Sequence, residues 1–107
     1  MALSADLTNQ LKEWASQKRA VSALWLFGSR ARQEERPSSD YDIALELMPK
    51  VGRDDAPFTD FFFGYEKWKA ELRLVVAGEI SLICFRDGEE MKFDPRKGGI
   101  RLWARCT

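Results

Sequence analysis

Apolar and polar residues recur along this chain with a period that changes several times, and each change marks an element. Leu7, Leu11, Trp14 and Ala15 recur at helical spacing after Ser4, which predicts a helix to about Gln17 with Ser4 as N-cap and Asp6 near its positive end. Lys18 and Arg19 are read as closing it. Val21 to Phe27 is an apolar, aromatic run with the character of a buried strand, ended by Gly28. Ser29 to about Glu34 predicts a short helix and Arg36-Pro37-Ser38-Ser39 a turn, before a second strand from Asp40 to about Leu47.

Met48 to Pro57 holds two prolines, Gly52 and the acidic pair Asp54-Asp55, and reads as a loop. From Phe58 to Val76 the spacing predicts the longest helix, with Phe58, Phe61, Phe62, Tyr65, Trp68, Leu72, Val75 and Val76 as its core face. Phe63 falls off that stripe and is expected to be exposed, a hint of a partner surface. Gly78 is read as the helix end, Ile80 to Phe85 as a third strand, and Arg86-Asp87-Gly88 as a turn. After a weakly patterned stretch, Ile100 to Arg105 alternates Ile100, Leu102 and Ala104 with Arg101, Trp103 and Arg105, as a half-buried strand does.

Composition narrows the choices. One domain spanning 1–107 is expected, since 107 residues suffice for a single core. With 45% hydrophobic and 32% charged residues and zero formal net charge, the chain has a globular profile, and charge alone points to neither nucleic acid nor membrane. No apolar run approaches the roughly 20 residues of a membrane span, and no secretory signal pattern opens the chain, so the expected location is the cytoplasm. Cys84 and Cys106 are too few for a disulfide framework or zinc cluster and read as free thiols.

Histidine is absent, which removes Ser-His-Asp, Cys-His and imidazole-base chemistry. No GxxxxGK[ST] or GxGxxG is present either, so acid, base and metal work falls to carboxylates and any phosphate site must be built another way. Gly28-Ser29 is a candidate for that site. Glycine permits a sharp turn and close backbone approach, and a serine hydroxyl and amide at a helix start favour an anion. Standing alone, the dipeptide reads first as an ordinary strand-to-helix turn with Ser29 as its N-cap, and the aspartates that follow change that.

Asp40 and Asp42 lie two apart on a strand, so both side chains project from one face and can share a hard divalent cation, Mg²⁺ above all. Gly-Ser, ten residues, then Asp-x-Asp would arise by chance with a probability on the order of one in a thousand. The runs Leu26-Phe27-Gly28-Ser29-Arg30-Ala31-Arg32-Gln33 and Ser39-Asp40-Tyr41-Asp42-Ile43-Ala44-Leu45 resemble the LFGSRARG and SDxDLxV patterns of the polymerase-β-like nucleotidyltransferases, particularly the minimal nucleotidyltransferase (MNT) members. Gly99-Ile100-Arg101-Leu102-Trp103 is similar to that family's closing strand.

The resemblance implies an α+β nucleotidyltransferase fold, a small mixed sheet flanked by helices. It implies that Gly28 and Ser29 hold nucleotide phosphates, that Asp40 and Asp42 coordinate Mg²⁺, and that a hydroxyl attacks the α-phosphorus of ATP. Arg30 and Arg32 have the geometry for phosphate contacts, with surface ion pairs as the other reading. The family's third carboxylate is replaced: Ser81-Leu82-Ile83 stands where an Asp-Leu-Val pattern is usual, and serine is a poor metal ligand. Glu79, two residues earlier, shares the face of Ser81 and is the compensating candidate.

Small MNT domains resemble the antitoxin halves of HEPN/MNT toxin-antitoxin pairs. The leading expectation is therefore AMP transfer from ATP to a hydroxyl, a tyrosine above all, on a HEPN-type toxin partner. The second is a binding module of the same fold that neutralises or scaffolds a protein without chemistry, for which Ser81 speaks. Transfer to an aminoglycoside would need an added helical domain, and no basic, aromatic-interleaved patch points to RNA or DNA as direct substrate.

Overall fold

Among the residues described in the computed structural model, 4–28, 40–50, 52–86 and 97–106, the chain order is α1 (Ala5–Ser16), β1 (Val21–Phe27), β2 (Tyr41–Leu47), α2 (Ala56–Val76), β3 (Ile80–Phe85) and β4 (Ile100–Ala104). The short helix read over 29–34, the turn at 36–39, Asp87-Gly88 and 89–96 lie outside the described residues. Ser4, extended at φ −69° and ψ 159°, caps α1 by accepting from the Leu7 amide at 3.1 Å. α1 ends at Ser16 and the Lys18 amide closes its last turn by donating to the Ala15 carbonyl at 3.0 Å, although no basic side chain lies within that turn. The Lys18 ammonium instead crosses to Glu71 at 2.9 Å.

The strands form one mixed sheet in the order β3-β2-β1-β4, with β1 antiparallel to both β2 and β4 and β2 parallel to β3. A parallel pair needs a crossover connection, and α2 supplies it. The helices cover one face, where Leu24 and Leu26 of β1, Ile43 and Leu45 of β2 and Ile80 and Leu82 of β3 meet Leu11, Trp14, Trp68 and Leu72. Strand alternation sends Phe27, Ala44 and Phe85 to a smaller cluster on the other face, beside Trp25 and Ile83. A register shift between Val21 and Ala23 lets both Val21 and Leu24 reach the main core despite their odd spacing, and the Ser22 hydroxyl donates to the Glu46 carbonyl at 3.1 Å there.

Several expectations change in three dimensions. Of the aromatic stripe on α2, Phe61, Trp68, Leu72 and Val76 are buried, but Phe58 and Phe62 are 47% and 64% exposed. α2 has 21 residues and is about 31 Å long. The seven-residue strands span only about 23 Å. The sheet face is also shared with α1, so part of the stripe has nothing to pack on. Phe63 is 81% exposed, as its spacing implies.

The start and end of α2 shift as well. Asp55 caps it, accepting from the Phe58 amide, and Pro57 sits in the first turn rather than in the loop. At the other end Ala77, not Gly78, takes the left-handed conformation, at φ 55° and ψ 44°. On β4 the simple alternation fails: Ile100 and Ala104 are exposed, while Leu102 and Trp103 both pack against the main core. Leu24 pairs with Trp103 and Trp25 with Arg101, leaving Leu102 as the extra residue of a bulge that turns two successive side chains inward.

Candidate functional site

The site forms where β1 stops. Phe27 is paired with Asp42 across the β1–β2 ladder, so the next residue, Gly28, lies beside the Asp42 carboxylate. Gly28 has φ +73°, a left-handed conformation that L side chains rarely adopt. A Cβ at Gly28 would overlap Asp42 Oδ2 and stand 2.9 Å from its Cγ. Glycine is thus required here twice, for the turn and for the carboxylate lying across it. Asp40 is exposed and lies just before β2, two residues from Asp42.

β3 brings the next group. In the parallel β2–β3 ladder Asp42 pairs with Ser81 and Tyr41 with Ile80, so Ser81 stands beside Asp42 on the sheet face away from the helices. Glu79 precedes the strand, its carbonyl accepting from the Tyr41 amide at 2.9 Å and its carboxylate 3.5 Å from Arg73 Nη2 of α2. The structure therefore brings Gly28, Asp42 and Ser81 together, with Asp40 on the same edge and Glu79 engaged by the helix. Ser29, Arg30 and Arg32 lie outside the described residues.

The Asp42 carboxylate with the Ser81 hydroxyl beside it in the ladder, and Asp40 two residues away, offer oxygen donors only. Mg²⁺ is commonly held by one or two carboxylates plus substrate phosphates, so these residues fit such an ion when a nucleotide completes its shell. Among the described residues no three or more His, Cys, Asp or Glu side chains converge into a self-sufficient metal cage.

A structural clamp frames the far side. Arg86, just after β3, donates to both carboxylate oxygens of Asp55 at 2.7 and 3.1 Å and through Nε to the Met48 carbonyl at 3.2 Å. It ties the end of β2 and the start of α2 to β3. The guanidinium holds the Asp55 carboxyl below its ordinary value, with burial opposing and the Phe58 amide assisting. Neither residue stood out in the sequence, where Asp55 was one of an acidic pair in a loop.

These features define a class of protein, a small nucleotidyltransferase-fold domain with its acidic residues at the edge of a mixed sheet. The chain belongs to the polymerase beta nucleotidyltransferase family, whose model matches residues 9–105. No curated protein matches the sequence as a relative.

Solved structures share the fold. A chain of a toxin-antitoxin complex with AMP-PNP superposes with a TM-score of 0.68 at 16% identity, covering 92% of this chain and 73% of that one. A MntA-HpeT toxin-antitoxin variant gives 0.65 at 15% identity over 92% and 73%. The complex of tri-AMPylated Shewanella oneidensis HEPN toxin with MNT antitoxin gives 0.58 at 13% identity, over 92% and 71%. Neither Cys84 nor Cys106 takes part in a disulfide, and among the described residues no helix is long and apolar enough to cross a membrane.

Proposed function

We propose that this chain is a Mg²⁺-dependent nucleotidyltransferase of MNT type that transfers AMP from ATP to a hydroxyl on a HEPN-type toxin, acting as its antitoxin in the cytoplasm. The observation that carries the reading is the Gly28–Asp42 contact, which brings the glycine of the Gly-Ser pair against a carboxylate of the Asp-x-Asp pair. The solved toxin-antitoxin complexes with AMP-PNP and with AMPylated toxin support the choice of nucleotide and partner.

In this reading Gly28 and Ser29 receive the phosphate tail, Arg30 and Arg32 offset its charge, and Asp40 and Asp42 hold the divalent ion. When bound, such an ion would neutralise charge on the phosphates and help orient the attacking and leaving oxygens. The acceptor hydroxyl gives up its proton to solvent as its oxygen bonds to the α-phosphorus, the bond to the bridging oxygen breaks, and pyrophosphate departs. Asp42 is then the strongest candidate for loss of function, and Glu79 a candidate base or ligand only if it leaves Arg73.

A second reading is favoured by one observation, Ser81 beside Asp42 in the ladder. Without a third carboxylate, the domain would bind nucleotide and partner but leave the partner unmodified. The test incubates the protein with Mg²⁺, ATP and the product of its neighbouring gene, and weighs that product by mass spectrometry. An adenylyl increment that disappears with Asp42→Asn supports transfer. A stable complex whose competent partner gains no mass supports the binding module.

A further inference from the structure

Far from the Gly28–Asp42 edge, the turn after α1 and the N-terminal half of α2 enclose a cleft of about 510 Å³. Arg19, Asp60, Phe63, Gly64, Lys67 and Trp68 are among its lining residues. Trp68 is only 8% exposed, yet among the described residues its indole N–H meets no hydrogen-bond acceptor. The other core-side indoles differ: Trp14 Nε1 donates to Glu71 at 3.1 Å and Trp25 Nε1 to Glu46 at 3.3 Å. An indole N–H facing a cleft is a donor that a docked ligand can satisfy in place of water.

Gly64 explains where that donor is. A Cβ there would stand 2.7 Å from Trp68 Nε1, so the indole edge lies over the glycine in the wall of the cleft. The surrounding charge favours an anionic acceptor. Lys18 is already engaged by Glu71 at 2.9 Å, and Lys67 also acts on that carboxylate from a distance, but Arg19 and Lys67 are exposed, form no ion pair within 4 Å among the described residues, and outnumber Asp60.

A free anion would leave the adjacent surface unexplained. Phe63 continues from the cleft into an exposed ridge, its ring 5.4 Å from that of Phe62, which is 6.3 Å from that of Phe58. Three exposed phenylalanines in a row require apolar cover. We propose that the cleft and ridge dock an acidic, amphipathic segment of a partner protein, with one carboxylate accepting from Trp68 Nε1 between Arg19 and Lys67 and apolar side chains lying on Phe58, Phe62 and Phe63. This names a surface for the partnership proposed above and rests on that reading for the partner's identity.

The test follows the four tryptophan indole resonances of the ¹⁵N-labelled chain by NMR. The probe is a synthetic helical peptide with leucine on one face and glutamate along its edge. The Trp68 resonance should shift on addition, with those of Trp14 and Trp25 nearly unmoved. Replacing the peptide's glutamates by glutamine, or Arg19→Glu with Lys67→Glu in the protein, should weaken binding about tenfold, the factor carried by about 1.4 kcal/mol.

Trp68→Phe should weaken it similarly, and the two surface substitutions keep the test valid if that core change impairs folding. Equal binding of the glutamine peptide overturns the proposal. So does a Trp68 shift produced by inorganic phosphate or a single-stranded oligonucleotide and not by the peptide. A complex with the neighbouring gene's product that survives charge reversal also overturns the docking site while leaving the partnership standing. Absence of that complex with the unmodified chain counts against the partnership, and the peptide measurements then decide the cleft.

Discussion

The carboxylate of Asp42 lies across the Cα of Gly28, so that the residue ending one strand is shaped by the residue opening the next. Gly28→Ala should therefore act through Asp42. The added methyl displaces the carboxylate and opposes the positive φ, for which an L residue loses about 1–2 kcal/mol. A misplacement of about 1 Å can cost roughly a hundredfold in rate, and adenylyl transfer by this variant should fall by about that much. Wild-type transfer rates in a folded Gly28→Ala protein would refute the relationship.

Asp42→Asn removes the charge but keeps the shape. Metal stabilisation of several kcal/mol corresponds to roughly a hundredfold or more in rate, so transfer should become undetectable while the melting temperature stays near wild type. Mass spectrometry of the acceptor and a thermal melt measure the two effects separately.

Ser81→Asp would set a third carboxylate beside Asp42 in the parallel ladder. Without divalent ions the neighbouring like charges should destabilise the fold, by about 1 kcal/mol or less. Mg²⁺ should restore the loss, and transfer should exceed that of the unsubstituted chain. Denaturant titrations with EDTA and with Mg²⁺ check the first part, and turnover checks the second.

Acid stability should depend on Asp55 and Glu71. Both carboxyls are held below their ordinary values, Asp55 first by its hydrogen bonds from Arg86 and Glu71 first by that from Lys18. A depressed folded value makes the contribution fully present above the unfolded pKa of about 4 and lost as pH falls through the folded value. Unfolding free energy should thus fall below about pH 4 more steeply in the wild type than in Asp55→Asn or Glu71→Gln, the curves converging in acid. Parallel curves for wild type and variants would show that neither pair contributes.

Ala77→Gly should stabilise the protein by about 0.5–1 kcal/mol, because Ala77 ends α2 in the left-handed conformation that glycine adopts freely. Chemical denaturation measures the gain. The neighbouring Gly78→Ala should bring no such gain, since a Cβ there would stand 3.3 Å from Tyr41 Cε2.

The sequence by itself determined the six described elements to within a few residues, the Leu11-Trp14-Ala15 face of α1, and the Gly-Ser and Asp-x-Asp pair that marks the family. These are local properties, set by repeats of about 2 and 3.6 residues and by caps and turns that act over a few positions. Only the tertiary structure decided that Asp42 pairs with Ser81, that Leu102 bulges, and that Arg86 clamps Asp55. It also decided that Phe58 and Phe62 lie outside the core while Trp68 sits inside it without an acceptor among the described residues. Helical periodicity alone assigned Phe58 and Phe62 the same fate as Phe61. Register, strand length against helix length, and the sharing of one sheet face by two helices separate them, and these depend on residues far apart in the chain.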